Sequence, residues 1–185
     1  MSDIWLITGG GRSGKSAYAE GLASEKGNVL YIATGVACDE EMVERIARHR
    51  RDRPENWITW ERHCDFGDIE NEFDADKFDM IMVDCLGCLL MGILYEEVPD
   101  EDDFSIEDFE HIEELATADV DVLCDYAVKY DKRLVFVTNE IGMGLIPETR
   151  YSRYFRDILG RLNSYAAKKA DTALLMVAGI PVKLK

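Results

Sequence analysis

The stretch Gly9-Gly10-Gly11-Arg12-Ser13-Gly14-Lys15-Ser16 constrains this chain more than any other. It satisfies G-x-x-x-x-G-K-[ST] without a mismatch, and it lies between an apolar run at 4–8 and a segment at 15–24 that reads as a helix. Glycine is needed there because the loop must turn its backbone N–H groups inward around an anion, at dihedral angles that side chains resist. The helix N-terminus adds partial positive charge. In such a P-loop, Lys15 is expected to meet the β- and γ-phosphates of a nucleotide and the Ser16 hydroxyl to ligate Mg²⁺. A strand, a phosphate loop and a helix in this order belong to an α/β fold.

The rest of the chain repeats that alternation. Apolar runs at 29–34, 79–84, 133–138 and 172–178 predict further strands, several of them apolar almost throughout, as buried parallel strands are. A short last strand is expected at 182–185, after the turn at Gly179-Ile180-Pro181. Helices fit the intervals at 39–53, from about 105 to 130, and at 150–169, with Ser105 and Asp108 spaced as a helix-start cap. The acidic segment 96–103, which carries Pro99, reads as a solvated loop. The expected architecture is an α/β P-loop NTPase with a mostly parallel sheet flanked by helices, and the 185 residues are read as one domain, 1–185.

Net charge narrows the partners. At −16 the field of the whole chain repels nucleic acid, so a phosphate site must be a local concentration of N–H groups and a few cations. No apolar run is long enough for a membrane span and the start lacks a signal peptide's basic residues, so a cytoplasmic protein is expected. Five cysteines, Cys38, Cys64, Cys85, Cys88 and Cys124, are an odd set and read as reduced thiols. Cys85 and Cys88 form a lone C-x-x-C, short of the ligands zinc requires.

Two further stretches carry chemistry. A P-loop calls for an acidic residue that closes a second apolar strand and holds Mg²⁺ through water, and Asp84 at the end of DMIMVD is the candidate. In DEEMVERIARHRRDRP, residues 39–54, Met42, Ile46 and His49 share a helical stripe, with Arg45, Arg48, Arg50 and Arg51 close by. Positive neighbours disfavour the protonated imidazole and so favour a nucleophile. The pattern alone reads first as a half-buried histidine on a helix whose arginines are solvated, and something further is needed to overturn that. His63, beside Cys64 in a polar turn, and His111 offer no partner pattern and read as incidental.

Together, ITGGGRSGKSAYAE, VLYIATG, DEEMVERIARHRRDRP, WITWE, VDCL, VTNEIGMGLIPETRYSRYFRDILGRLN and AGIPVKLK resemble the bifunctional adenosylcobinamide kinase/adenosylcobinamide-phosphate guanylyltransferases, nearly end to end. The resemblance implies that His49 accepts GMP from GTP. It also implies nucleotide contacts from Gly9, Gly10, Gly11, Arg12, Ser13, Gly14, Lys15 and Ser16, from Ala33, Thr34 and Gly35, from Arg50, Arg51, Asp52 and Arg53, and from Glu61 and Asp84. A RecA-like domain assembled as a homotrimer is implied as well. After Asp84 the family tends to read D-C-L-T-L-W-L-S-N-L-L, whereas this chain has DCLGCLLMGIL, so Gly87 and Gly92 replace the usual Thr and Asn.

The implied chemistry uses one site twice. The γ-phosphoryl of ATP or GTP passes to the aminopropanol hydroxyl of adenosylcobinamide. In the second reaction GMP passes from GTP through His49 to adenosylcobinamide phosphate. Asn139 and Glu140 follow the strand expected at 133–138, at the carboxyl edge where α/β sheets bind ligands. Glu140 is either a substrate-orienting base or a carboxylate that shapes the turn before Gly142. The rival readings are a small-molecule kinase without nucleotidyl transfer and a regulatory P-loop NTPase.

Overall fold

In a computed structural model, residues 3–24, 27–36, 40–98 and 104–185 are described. Cys38, Asp39 and Pro99 lie outside them, as do the side chains of Met42, Arg45, Arg48, His49 and Asp52 within a described helix. The element order is β1 (Asp3–Gly9), α1 (Lys15–Ser24), β2 (Val29–Ala33), α2 (Glu40–Asp52), β3 (Ile58–Glu61), α3 (Ile69–Glu72), a 3-10 turn (Ala75–Lys77), β4 (Met80–Asp84), α4 (Leu86–Glu97), α5 (Ile106–Lys129), β5 (Arg133–Val137), α6 (Arg150–Lys169), β6 (Thr172–Val177) and β7 (Ile180–Lys183).

Among the described residues these strands form one sheet of order β3-β2-β4-β5-β1-β6-β7. All neighbours run parallel except β6 and β7, an antiparallel hairpin. The near-continuous apolar character of the central strands has its reason in the two faces they bury. Leu30, Ile32, Ile81, Val83, Leu134 and Phe136 point into a core shared with α4, α5 and α6. Their alternates, Val29, Tyr31, Met80, Met82, Val135 and Val137, pack with Ala19 and Ala23 of α1 and with Trp57. This strict alternation is the period of two that a pleated strand imposes.

The cap expected at the long helix is present. Ser105 Oγ accepts from the Asp108 N–H while Asp108 reaches back to the Ser105 N–H, satisfying two otherwise unpaired donors. At α6, Thr149 Oγ1 accepts from the Ser152 N–H. The expected strands and helices stand within a few residues of their predicted bounds.

Four elements stand where the sequence predicts none: β3, which adds an edge strand beside β2, the short α3 and 3-10 turn that follow it, and α4, which occupies LGCLLMGILYEE and takes in 96–97, expected in a loop. An unbroken apolar run gives no periodic signal, and two glycines lower its helical propensity. The run is apolar because α4 is buried nearly all round, with Leu86, Gly87, Leu89, Leu90, Gly92, Ile93 and Leu94 out of solvent. The last strand also starts two residues earlier than expected, at Ile180.

Candidate nucleotide site

Parallel register aligns the carboxyl ends of the strands. Ala33 stands opposite Glu61 on one side and Asp84 on the other; Asp84 faces Val137, and Val137 faces Ile7. Residues separated by up to 130 positions therefore meet along one edge, with the phosphate loop leaving β1 two residues beyond Ile7.

The loop is held from beneath. Gly9 has φ +152°, and a Cβ there would lie 2.5 Å from the Met176 carbonyl oxygen and 2.8 Å from Ser13 Oγ. Gly14, at φ +94°, meets Gly179 Cα at 3.2 Å from the equivalent position. Here glycine answers both an angle and a close approach. The Ser13 N–H donates to the Gly10 carbonyl at 3.3 Å, and the Ser13 carbonyl accepts from the Gly179 N–H at 3.0 Å, so the β6–β7 turn braces the loop. Arg12 takes a left-handed backbone conformation, and Gly10 and Gly11 border open space.

Lys15 is only 7% exposed and its Nζ donates to the Gly10 carbonyl at 2.7 Å, which keeps the ammonium folded within the loop. The hydroxyls Thr8 Oγ1 and Ser13 Oγ are buried without a hydrogen-bond partner among the described residues. Buried polar atoms are almost always paired, and an orphaned hydroxyl inside a phosphate cradle is the donor a phosphate oxygen would take.

Ser16 Oγ lies 3.5 Å from Asp84 Oδ1, while Tyr31 Oη donates to Asp84 Oδ2 at 2.7 Å. The acidic residue expected from the sequence thus meets the P-loop hydroxyl, and this pair of oxygen donors fits a hard cation such as Mg²⁺. Tyr31 is a participant the sequence reading missed. Burial, then the neighbouring Asp84 charge, pushes its phenol far above the usual range, so it remains a donor. A lone phenol in the aliphatic strand VLYIA was the available signal.

The loop after β2 ties the strand ends together. The Thr34 N–H donates to the Asp84 carbonyl at 3.3 Å, and the buried Thr34 Oγ1 donates to the Cys85 carbonyl at 2.8 Å. Gly35 would bring a Cβ to 3.6 Å from Ile46 Cδ1, which places α2 against this loop. One turn on, Arg50 pairs with Glu61 through Nε and Nη2. The Arg53 guanidinium lies 3.7 Å above the Tyr31 ring, which also stacks on Trp57. Arg51 is exposed. His49 belongs to the α2 backbone between Ile46 and Arg50, while its side chain and that of Asp52 lie outside the described residues.

Beyond β5, Asn163 of α6 fixes the Asn139 backbone. The buried Thr138 Oγ1 donates to Asn163 Oδ1 at 2.6 Å, and Asn163 Nδ2 donates to the Asn139 carbonyl at 3.0 Å. Asn163 was not singled out from sequence because its helix surroundings carry no site pattern. The Glu140 N–H donates to the Gly9 carbonyl at 3.0 Å and its carboxylate accepts from the Gly142 N–H at 2.6 Å. In this conformation Glu140 shapes the turn. Cys85 and Cys88 place their sulfurs 3.5 Å apart as thiols and not as a disulfide, with the Cys85 thiol pushed up by Cys88 and by burial.

The structure also separates the two glycines that depart from the family pattern. A Cβ at Gly87 would make only ordinary contacts, 3.7 Å from Leu159 Cδ2. At Gly92 it would overlap His63, at 2.5 Å from Cδ2 and 2.7 Å from Cβ. A side chain at 92 therefore needs His63 to move, whereas one at 87 displaces nothing.

Comparison with known proteins places this edge in context. The sequence model of the family described as cobinamide kinase / cobinamide phosphate guanyltransferase matches residues 5–184. The bifunctional adenosylcobalamin biosynthesis protein CobU of Escherichia coli is 38% identical over 180 residues, covering 97% of this chain and 98% of the relative. Its namesake in Salmonella typhimurium is 40% identical over 182 residues, with the same coverage. The CobP protein of Pseudomonas aeruginosa is 36% identical over 182 residues, covering 97% of this chain and 96% of its own. No helix among the described residues is long and apolar enough to cross a membrane. Because the likeness runs through the phosphate loop, the helix carrying His49 and the C-terminal strands alike, the chain belongs to the cobinamide kinase / cobinamide phosphate guanyltransferase family.

Proposed function

We propose that this protein phosphorylates adenosylcobinamide with ATP or GTP and then transfers GMP from GTP, through His49, to adenosylcobinamide phosphate, giving adenosyl-GDP-cobinamide. The observation that carries the reading is the meeting of Lys15, Ser16 and Asp84 at one strand edge, in a chain that matches this family over 5–184.

In the kinase step the aminopropanol oxygen forms a bond to the γ-phosphorus, the bond to the β-phosphate oxygen breaks, and the hydroxyl proton leaves. Phosphoryl transfer requires mainly alignment and charge neutralisation. Lys15 and the N–H groups of residues 9–16 hold the β- and γ-phosphates. Ser16 and Asp84 would hold Mg²⁺, which neutralises phosphate charge when bound. Tyr31 keeps the Asp84 carboxylate oriented by donating to Oδ2.

In the guanylyl step a ring nitrogen of His49 forms a bond to the α-phosphorus, and the α–β bond breaks to release pyrophosphate. The departing unit is the part the loop holds, so the same N–H groups stabilise the leaving charge. A phosphate oxygen of adenosylcobinamide phosphate then forms the new bond as the N–P bond breaks. A covalent intermediate divides one difficult transfer into two easier ones.

Arg50, Arg51, Asp52, Arg53, Glu61 and the Ala33-Thr34-Gly35 segment complete the nucleotide contacts in this reading, with Asn139 and Glu140 beside the corrinoid substrate. We place the protein in the cytoplasm as a single domain, 1–185, assembled as a homotrimer, acting on small molecules and not on nucleic acid.

The test is incubation with Mg²⁺ and α-labelled GTP, beside a His49→Ala control. An acid-labile, alkali-stable adduct on the denatured protein, lost in the variant, is expected. No adduct under conditions where GTP binds refutes the nucleotidyl step, and an adduct that survives His49→Ala refutes His49 as its acceptor. Phosphorylation of adenosylcobinamide without an adduct would leave a small-molecule kinase; hydrolysis with no corrinoid product would leave a regulatory NTPase.

A further inference from the structure

In the sequence His63 reads as incidental and Cys64 as one of several reduced thiols, yet the fold gives them a shared partner 32 to 33 residues away. His63 Nε2 lies 2.7 Å from Glu96 Oε1, and Cys64 Sγ lies 3.5 Å from Glu96 Oε2. The ligand atoms of the three residues all fall within 4.8 Å of one another. We propose that His63, Cys64 and Glu96 form a binding site for one divalent transition-metal ion of zinc-like character, separate from the nucleotide site.

The donor set is the first argument. An imidazole nitrogen, a thiolate and a carboxylate oxygen are the three ligand types that zinc combines. Zinc bonds of about 2.0 to 2.3 Å in a tetrahedral array separate neighbouring ligand atoms by about 3.3 to 3.6 Å. The Cys64–Glu96 spacing already has that value, and the His63–Glu96 spacing needs to open by about 0.6 Å to reach it. Glu96 can supply the adjustment, because its side chain is 56% exposed at the end of α4. A fourth position is left for water.

The scaffold is the second argument. Arg62 Nε donates to the Cys64 carbonyl at 3.0 Å, and Arg62 also pairs with Asp65 and Asp68 at 3.0 Å each. The buried Asp119 of α5 accepts from the Asp65 and Phe66 N–H groups at 2.9 and 3.0 Å. These contacts hold the turn that presents His63 and Cys64 without any help from the donors themselves, as a metal site requires of its supporting groups. Gly92 completes the arrangement, since the imidazole occupies the space where any other residue would place its Cβ.

Binding a divalent cation there takes the thiolate form of Cys64: the S–H bond breaks, a sulfur–metal bond forms, and the proton passes to the buffer. The site stands away from the phosphate loop, on the segment after edge strand β3, with β2, β4 and β5 between β3 and β1. A metal there would staple this segment to α4, the helix that starts just after Asp84.

The test uses the metal-stripped full chain without nucleotide, titrated with Co²⁺ and then Zn²⁺. A single equivalent of Co²⁺ is expected, with a thiolate-to-cobalt charge-transfer band that Zn²⁺ abolishes. Cys64→Ser should remove the band and Cys88→Ser should leave it. His63→Gln and Glu96→Gln should weaken binding by at least the about 10-fold that loss of even an outer-shell partner costs. Gly92→Ala, which displaces the imidazole and removes no donor, should do the same, with circular dichroism reporting retained fold. Absence of the band in the unsubstituted protein overturns the proposal whatever the variants do, as does a band that survives Cys64→Ser or depends on Cys88.

Discussion

Two glycines of one phosphate loop should respond in opposite senses to the same added methyl group. At Gly9 the backbone sits at φ +152°, and the new Cβ would lie 2.5 Å from a main-chain carbonyl of the strand with which Gly9 pairs. The conformation costs a non-glycine residue about 1–3 kcal/mol, and overpacking against backbone adds about 1–3 kcal/mol. Gly9→Ala should therefore lose about 2–6 kcal/mol, a large part of the about 5–15 kcal/mol that stabilises a typical domain. Gly11 has no atom within 4 Å of its equivalent position and no positive φ. There alanine restricts the unfolded chain more than it strains the folded one, and Gly11→Ala should be neutral or stabilising by up to about 1 kcal/mol. Urea unfolding of both variants without nucleotide, with the slope m checked for constancy, measures the difference. A loss below about 1 kcal/mol for Gly9→Ala, or an equal loss for Gly11→Ala, would refute the argument that close approach to Met176, and not the motif as such, selects glycine at position 9.

Two other outcomes follow from buried groups. Ser13→Ala removes a hydroxyl that is buried without a partner among the described residues, so the protein should gain up to about 1 kcal/mol in urea unfolding while its GTP affinity falls; reduced stability with unchanged affinity would contradict the role given to Ser13. In the metal-stripped protein the Cys64 thiol is pushed up to about 12 from its ordinary 9.0 by burial and by Glu96, so its contribution to stability is complete below pH 9 and is lost as pH rises toward 12. Its alkylation by iodoacetamide, followed by peptide mass spectrometry, should be about a thousandfold slower at pH 8 than that of an unfolded thiol. The rate should keep climbing beyond pH 9, and Glu96→Gln should move the inflection down. A rate that levels off near pH 9 in the folded protein would show that neither burial nor Glu96 controls this thiol.

The sequence alone determined the parts whose signal is local. The phosphate loop was legible because its glycines, Lys15 and Ser16 act within eight consecutive positions, and the buried parallel strands because burial on both faces leaves an apolar run. The cap at Ser105 and Asp108 needed only a spacing of three. Asp84 was legible as the acid that ends a strand, and the family likeness named His49 and Glu61. What only the tertiary structure decided depends on which strands stand side by side. Parallel register sets Glu61, Ala33 and Asp84 in one row, gives Asp84 the Tyr31 hydroxyl, and lets Asn163 hold the backbone beyond β5. Helix α4 escaped a periodic reading because a segment buried nearly all round has no polar face to mark its period. His63 and Cys64 showed no site pattern because their partner lies at the end of α4, beyond α3, the 3-10 turn and β4, and a separation of that length carries no pattern until the chain has folded.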